Sequence, residues 1–354
     1  MGRPYGEQVA AKHDEAVAAL PGVAWEEPFA AGERGHRNRA KLVVGGTVEH
    51  PTLGVLDDEL RGVDLTGCEL YEPALAASFD RLARFVTRAA LEPYDVPARR
   101  GELKYLLVTV SPDAELMVRF VLRSTEALMR IRKHLPWLFE TLPGLVVASV
   151  NVQPAHAAVL EGEREILLTE ADTLTMRVGE VGLHLPPRSF FQTSTPTAAA
   201  LYQQAAAWVD DLAPASVWDL YCGVGGFALH LAAEGRTVAG IERSLPAVEA
   251  ARVSARSRPG ATFVAGDALD VARDRADTPD LVVVNPPRRG LGPELAEWLD
   301  ASDVPHVLYS SCHLPSLVAD LTQMPRLRPV RGRVFDMFPQ TAHGEVMVLL
   351  SRDV

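Results

Sequence analysis

The sequence predicts an α+β domain over residues 1–183 followed, over 184–354, by an α/β domain with a parallel, Rossmann-like sheet. Three observations carry this. From Val217 onward, short and nearly continuous apolar segments alternate with helical spacing, the pattern of a parallel sheet covered on both faces. Before residue 184, strand-like and helix-like stretches mix without that alternation. A glycine-rich stretch, Gly223-Val224-Gly225-Gly226-Phe227-Ala228, directly follows the first of the apolar segments, where sheets of this type hold nucleotides.

Residues 7–20 carry the spacing of a short amphipathic helix that Pro21-Gly22 stops. Strands are expected at 40–44, 103–110, 116–122 and 145–152 from alternation or β-branched content. Helical spacing marks 73–91 and 124–142, with Ser124 as the N-cap of the second and its capping-box position filled by Ala127 instead of Glu or Gln. In the second domain Thr195-Pro196 opens a helix through Asp211, since proline suits the first helical turn. Strands at 217–221, 237–242, 262–265, 281–285 and 306–310 follow, each with its loop and helix. Segments 333–338 and 346–351 form a closing, hairpin-like pair. Ligands of such sheets bind at the carboxyl ends of the strands, which is where the chemically distinctive residues fall.

Bulk composition narrows the function. A chain of 354 residues suffices for two domains with a core each. No apolar run approaches the ~18 residues of a membrane span. The polar start Met1–Glu7 is unlike a signal peptide, so no membrane partner is expected. Three cysteines, few and odd in number, fit a reducing cytoplasm better than a disulfide framework. A formal net charge of −11 argues against a uniformly basic nucleic-acid reader. Basic clusters nevertheless occur at Arg34, His36, Arg37, Arg39 and Lys41, at Arg99, Arg100 and Lys104, and at Arg130, Arg132, Lys133 and His134. From charge alone these read as solvated faces.

The glycine loop, with Asp219 and Tyr221 before it and Gly223 and Gly225 within it, is the candidate cofactor site. Glu242, 19 residues beyond Gly223, ends the next strand, where a carboxylate can accept hydrogen bonds from both ribose hydroxyls. This motif alone does not separate a dinucleotide from S-adenosylmethionine, or either from a bare strand-to-helix turn. Two features favour S-adenosylmethionine. The fourth strand ends in Asn285-Pro286-Pro287-Arg288-Arg289-Gly290, which aims a polar side chain and carbonyls at a reacting centre. Gly266-Asp267, after the third strand, is placed to meet an adenine amino group, although Asp267 equally suits a helix cap.

Cys312, in Tyr309-Ser310-Ser311-Cys312-His313, is the candidate nucleophile. It precedes a helical-looking segment, Pro315–Leu321, whose first N–H groups would favour a thiolate. Carbon 5 of uracil is too weak a nucleophile to take a methyl group from a sulfonium unaided. A thiolate added to C6 makes C5 an enolate carbon; after transfer, a base must remove the C5 proton so that the thiol can leave. Glu345, in Thr341–Val346, is the candidate base, with a surface carboxylate in a hairpin as the blander alternative. Cys222 reads as a small packing residue. Cytosine would favour a second thiol or an acid in the fourth-strand motif; Asn285-Pro286-Pro287-Arg288 has neither, so uracil is the expected base.

Taken together, these residues resemble the RNA uracil-C5 methyltransferase family, and most closely its branch acting on uracil-747 of 23S rRNA. The likeness runs nearly end to end. It includes Arg37–Lys41, Arg100–Tyr105, Leu135–Trp137, Asn151–Pro154, Ser189–Thr193, the glycine loop, Val284–Gly290, Tyr309–Cys312 and Phe335–Pro339. The resemblance implies Cys312 as nucleophile, Glu345 as base, and Gln192, Tyr221, Glu242 and Asn285 on S-adenosylmethionine. It favours the rRNA branch because Asn285 stands where relatives acting on tRNA usually carry Asp, and because no small β-barrel RNA-binding domain leads the chain.

The same branch usually holds a [4Fe-4S] cluster with three cysteines near the N-terminus and a fourth further on. Cys68 matches the fourth, and the first three are missing, so one thiolate is left where four are normal. Met1–Gln8 is similar to the stretch that normally follows the third cysteine. The expectation is a chain starting at an internal methionine and lacking about twenty residues; the alternative is genuine loss of the cluster.

The sequence therefore predicts a cytoplasmic, monomeric enzyme that methylates C5 of a uridine in 23S rRNA, the target lying in a hairpin or loop and leaving its stack to reach Cys312. Candidate phosphate contacts are Arg34, Arg37, Arg39, Lys41, Arg100 and Lys104, with Arg288 and Arg289 beside the site. The alternatives are the same chemistry on tRNA or another 23S rRNA uridine, amino-group methylation (with Arg288 in the aromatic position of an Asn-Pro-Pro motif), and an RNA-binding assembly factor that keeps the cofactor site without turnover.

Overall fold

The structure, a computed structural model, describes residues 2–157, 159–275 and 277–352. Its contacts divide the chain into two units: residues 34–177, and the segment up to Glu33 together with Val178 onward.

In chain order, α1 (Tyr5–Ala19) and β1 (Ala24–Trp25) open the larger unit. The smaller unit follows as β2 (Arg39–Gly46), β3 (Pro51–Leu56), β4 (Gly62–Asp64), α2 (Pro73–Arg88), β5 (Leu103–Val110), β6 (Leu116–Leu122), α3 (Leu128–Thr141), β7 (Leu145–Val152) and β8 (Arg164–Leu167). The chain returns through β9 (Leu174–Val178) and β10 (Val181–Leu185) to α4 (Thr195–Leu212), β11 (Ser216–Leu220), α5 (Gly226–Leu231), β12 (Thr237–Glu242), α6 (Leu245–Ser254) and β13 (Ala261–Ala265). It ends with α7 (Ala268–Asp274), β14 (Leu281–Val284), α8 (Pro293–Ala301), β15 (His306–Ser311), α9 (Leu314–Leu321), β16 (Arg328–Phe335) and β17 (Glu345–Ser351).

In the smaller unit one sheet runs β4-β3-β2-β5-β6-β7-β8. Its pairs are antiparallel except β6 with β7, which α3 connects as a crossover. Helix α2 places Leu75, Phe79, Leu82, Phe85 and Val86 on one stripe, the i, i+3, i+4 spacing of a helix packed on a sheet. These residues share a core with Leu42, Leu106, Val108 and Phe120. Ser124 does not cap α3, which begins at Leu128. Its hydroxyl donates instead to Glu102 Oε2 at 2.7 Å and accepts the Glu126 N–H at 3.1 Å. A buried carboxylate needing donors outweighs the local cap preference.

The larger unit holds an eight-stranded sheet, order β1-β16-β17-β15-β14-β11-β12-β13. Strands β13, β12, β11, β14 and β15 are mutually parallel, and β17 runs antiparallel to both β15 and β16. The order reverses at β11, between β12 and β14, so a topological switch point lies at its carboxyl end. Val282, Val284, Val307, Tyr309 and Val348 are fully buried, as strands covered on both faces require.

The partition at residue 183 misplaces the first thirty-odd residues, which belong with the larger unit. Strand β1 pairs in parallel with β16, and Lys12 on α1 buries its ammonium 2.6 Å from Asp336 Oδ1 while donating to the Phe338 carbonyl at 3.0 Å. Both side chains are almost wholly enclosed, at 7% and 1% exposure. Lys12→Ala would therefore leave a buried carboxylate unpaired. Urea denaturation is expected to show a loss of about 3–5 kcal/mol at unchanged slope, and a Lys12→Met/Asp336→Leu double replacement should recover most of it.

Candidate active site

Strand β11 delivers Asp219 at 0% exposure, just before the glycine loop. Its Oδ2 accepts the Ala228 N–H at 2.9 Å, while Oδ1 is buried without a partner. Burial pushes this carboxyl up to about 7; the Ala228 N–H opposes that shift and the charge of Glu242 adds to it. Tyr221 follows in the left-handed region at φ 67°, a strained conformation for an aromatic residue of the kind that collects at functional sites. Gly225 has φ 90°, and a Cβ there would lie 2.8 Å from Phe263 Cζ, so both backbone and packing demand glycine. A Cβ on Gly223, by contrast, would meet nothing within 4 Å.

Glu242, ending β12, lies beside this loop. Its Oε2 accepts the Gly223 N–H at 3.2 Å and its Oε1 the Ser244 N–H at 2.8 Å. Asp267 is the N-cap of α7, its Oδ1 accepting the Leu269 N–H at 3.0 Å, which realises the cap half of the sequence expectation. Gln192 is buried in the segment between β10 and α4. Cys222 is buried and packs so closely that a Cβ on Gly240 would stand 2.9 Å from its Sγ, in keeping with a packing role.

At the reacting end, β14 and β15 finish where β17 begins. The ladder pairs Val284 with Tyr309 and Ser311 with Val346. Extended by one step, the second register brings Cys312 opposite Glu345, and the two-residue period of a strand puts Ser310 and Cys312 on one face. Asn285 Nδ2 donates to Glu345 Oε1 at 2.9 Å and to the Ser310 carbonyl at 3.2 Å; the Ser310 hydroxyl donates to the same Oε1. Glu345 is 2% exposed, far from the surface-carboxylate alternative. Burial pushes its carboxyl up to about 7 against the pull of these two hydrogen bonds.

Cys312 is half-buried at the mouth of α9. Burial first, then the charge of Glu345, push its thiol up, while its own backbone N–H and Arg288 pull it down. The thiolate assistance expected from the helix N-terminus is thus outweighed in the ligand-free protein by enclosure and a neighbouring acid. A cleft of about 190 Å³ opens here, lined among others by Lys12, Cys312, His313, His343, Gly344 and Val346. Arg288 and Arg289 are exposed, and Arg288 Nη2 is 3.4 Å from His343 Nε2.

Sequence reasoning missed Ser310 and Lys12. A serine two positions before the nucleophile on the same strand was the available signal for the first; nothing local signalled the second. Among the phosphate candidates, Lys41 and Arg100 are exposed, Arg34 pairs with Glu69 at the surface, and Arg39 Nε donates to Thr109 Oγ1 at 3.1 Å. Lys104 does not lie on an open basic face: it is buried, with its ammonium on Gln153 Oε1 and the Ala155 carbonyl. Cys68 is half-buried, and among the described residues no group of three or more His, Cys, Asp or Glu side chains could hold a metal ion. The residues present do not fit a four-thiolate cluster. No described helix is long and apolar enough to cross a membrane.

Known proteins place this arrangement. The tRNA (uracil-54, C5)-methyltransferase of Pyrococcus abyssi, solved with S-adenosyl-L-homocysteine, superposes with TM-score 0.81 over 98% of this chain and 83% of its own, at 24% identity. The fold is that of the Rossmann-like S-adenosylmethionine-dependent methyltransferases. A family model described as tRNA (Uracil-5-)-methyltransferase matches residues 272–353. The 23S rRNA (uracil(747)-C(5))-methyltransferase RlmC of Edwardsiella ictaluri is 47% identical over 99% of this chain and 94% of its own length. That of Halothiobacillus neapolitanus is 46% identical over 99% and 94%. The chain belongs to this family of RNA uracil-C5 methyltransferases.

The buried acid makes stability depend on pH. Glu345 ionises at about 7 in the folded protein but near 4.5 when unfolded, so between those values the native state holds the extra proton and stability falls as pH rises. Glu345→Gln should remove this contribution. Compared at pH 5 and pH 8 by urea denaturation, the wild type should lose on the order of 3 kcal/mol relative to the variant.

Proposed function

We propose that this protein methylates C5 of a uridine in 23S rRNA, with uracil-747, the nucleotide for which its relatives are named, as the target. The observation that carries the reading is the meeting of Cys312 and Asn285, past the carboxyl ends of β15 and β14, with Glu345 at the start of the antiparallel β17, next to the switch point and its glycine loop. Relatives named for 23S rRNA are 46–47% identical over 99% of this chain, which supports rRNA over tRNA.

S-Adenosylmethionine supplies an electrophilic methyl group when bound. The residues fit it: Gly223 leaves open space beside the loop, Glu242 ends β12 as a ribose acceptor, and the unpartnered Oδ1 of Asp219 awaits a donor. Tyr221, Gln192, Asp267 and Asn285 complete the proposed cofactor contacts.

On the RNA side, Cys312 as thiolate forms a bond to C6, and the electron pair displaced from the C5–C6 bond is held as an enolate. C5 then takes the methyl group. Glu345 removes the C5 proton, the C5–C6 double bond re-forms and the Cys312 sulfur departs. A carboxyl poised near 7 suits that step, since it is basic enough to accept the proton and still partly ionised near neutral pH. Asn285 and Ser310 position this carboxylate, and the smaller unit holds the flanking RNA. A single protomer with the target in a hairpin or loop suffices.

A 23S rRNA fragment carrying 5-fluorouridine at the target should trap the protein with S-adenosylmethionine as a denaturation-resistant adduct, because fluorine cannot leave as a proton. Cys312→Ala should abolish that adduct; a wild-type protein that binds both ligands yet never forms it would remove Cys312 from the mechanism. With ordinary uridine, Glu345→Gln should accumulate a methylated adduct, with turnover reduced about 10²- to 10⁴-fold. In the wild type, kcat should rise with pH through about 7 as Glu345 ionises.

A further inference from the structure

The smaller unit contains a cavity of about 350 Å³, within the roughly 300–1,000 Å³ of small-ligand sites, that the methyl-transfer chemistry leaves unused. Val43, Leu56 and Val96 supply aliphatic wall; Tyr94, Tyr105 and His156 supply rings. Tyr94 Oη and His156 Nδ1 stand 3.0 Å apart, which couples two of those rings. At the wall sits Lys104, only 6% exposed. Its ammonium donates to Gln153 Oε1 and to the Ala155 carbonyl at 2.8 Å, and lies 4.6 Å over the Tyr94 ring.

None of these partners is a carboxylate. The nearest acid in sequence, Glu102, is occupied by Arg123 and Ser124. A buried cation held only by neutral dipoles is costly unless an anion completes its shell. Lysine carries three donors, and two are used. Burial also holds this ammonium below its ordinary range.

Aromatic faces beside an aliphatic wall, with one unneutralised cation, match neither a bare phosphate nor an apolar ligand. They match a nucleotide. We propose that this cavity takes a second, unstacked nucleotide of the RNA, with its base against Tyr94 and Tyr105 and its phosphate at Lys104. Sequence-selective RNA recognition uses splayed bases stacked on aromatic side chains in this manner. The inference rests on the RNA-substrate reading given above.

The test uses the full chain and a set of 23S rRNA fragments, each with 5-fluorouridine at the target and a single photoreactive 4-thiouridine at one flanking position. One flanking position should crosslink to a peptide containing Tyr94, Tyr105 or His156. Lys104→Met, and Ala157→Trp, which plugs the cavity from its exposed rim without removing any packed group, should each abolish that crosslink. Both should weaken RNA binding about five- to a hundredfold while leaving S-adenosylmethionine binding unchanged, and Ala157→Trp should leave the thermal midpoint unchanged as well. A Cys312 adduct at wild-type yield with no crosslink to this cavity from any position, or plugged protein that binds RNA as the wild type does, would overturn the nucleotide pocket and leave the methylation reading standing. Absence of both adduct and RNA binding would overturn the two together.

Discussion

The carboxylate of Glu345 joins three strands that come from distant parts of the chain. Asn285 follows β14, Ser310 lies on β15, and Glu345 opens β17; the amide and the hydroxyl both donate to a single oxygen of the acid. Because a buried charged or protonated carboxyl without donors would be costly, this triangle fixes how the three strand ends sit relative to one another. The position of Cys312, one residue past the end of β15, follows from the same ladder. The active-site geometry is therefore a consequence of satisfying one enclosed acid. The enclosure that gives Glu345 basicity near neutrality also suppresses ionisation of the neighbouring thiol. The two groups constrain each other through one shared environment.

Much of the larger unit was legible because its strands are buried on both faces and so read as uninterrupted apolar runs. Strands at 237–242 and 306–311, and the helix from Thr195, emerge with nearly the expected limits. The chemistry was legible for a related reason: parallel sheets gather their polar residues at carboxyl strand ends, so Tyr221, Glu242, Asn285 and Cys312 each follow or end an apolar run. Short edge strands such as β1, β4 and β8 were not legible, because two to four residues of mixed burial carry little periodicity.

What stayed hidden depends on contacts between residues far apart in sequence. Ser124 has the composition of a cap but serves Glu102, and Lys104 has the composition of an open basic face but is enclosed beside Gln153 and Tyr94. The thiol of Cys312 looked assisted by the helix that follows, yet its burial outweighs that help, and the charge of an acid 33 positions downstream adds to the effect. In each case local propensity was outweighed by the cost of leaving a buried polar group unsatisfied.

The pairing of β1 with β16 and of Lys12 with Asp336 has a bearing on how the protein is made. Synthesis proceeds from the N-terminus, so α1 and β1 leave the ribosome some three hundred residues before the strand and acid they dock against. The smaller unit, a continuous stretch over residues 34–177, is free to fold first. The leading helix must wait, apolar stripe uncovered, until the final strands emerge. Closure of the catalytic unit is thereby deferred to the end of translation, and that interval is when the nascent chain is most open to chaperones and to misassociation.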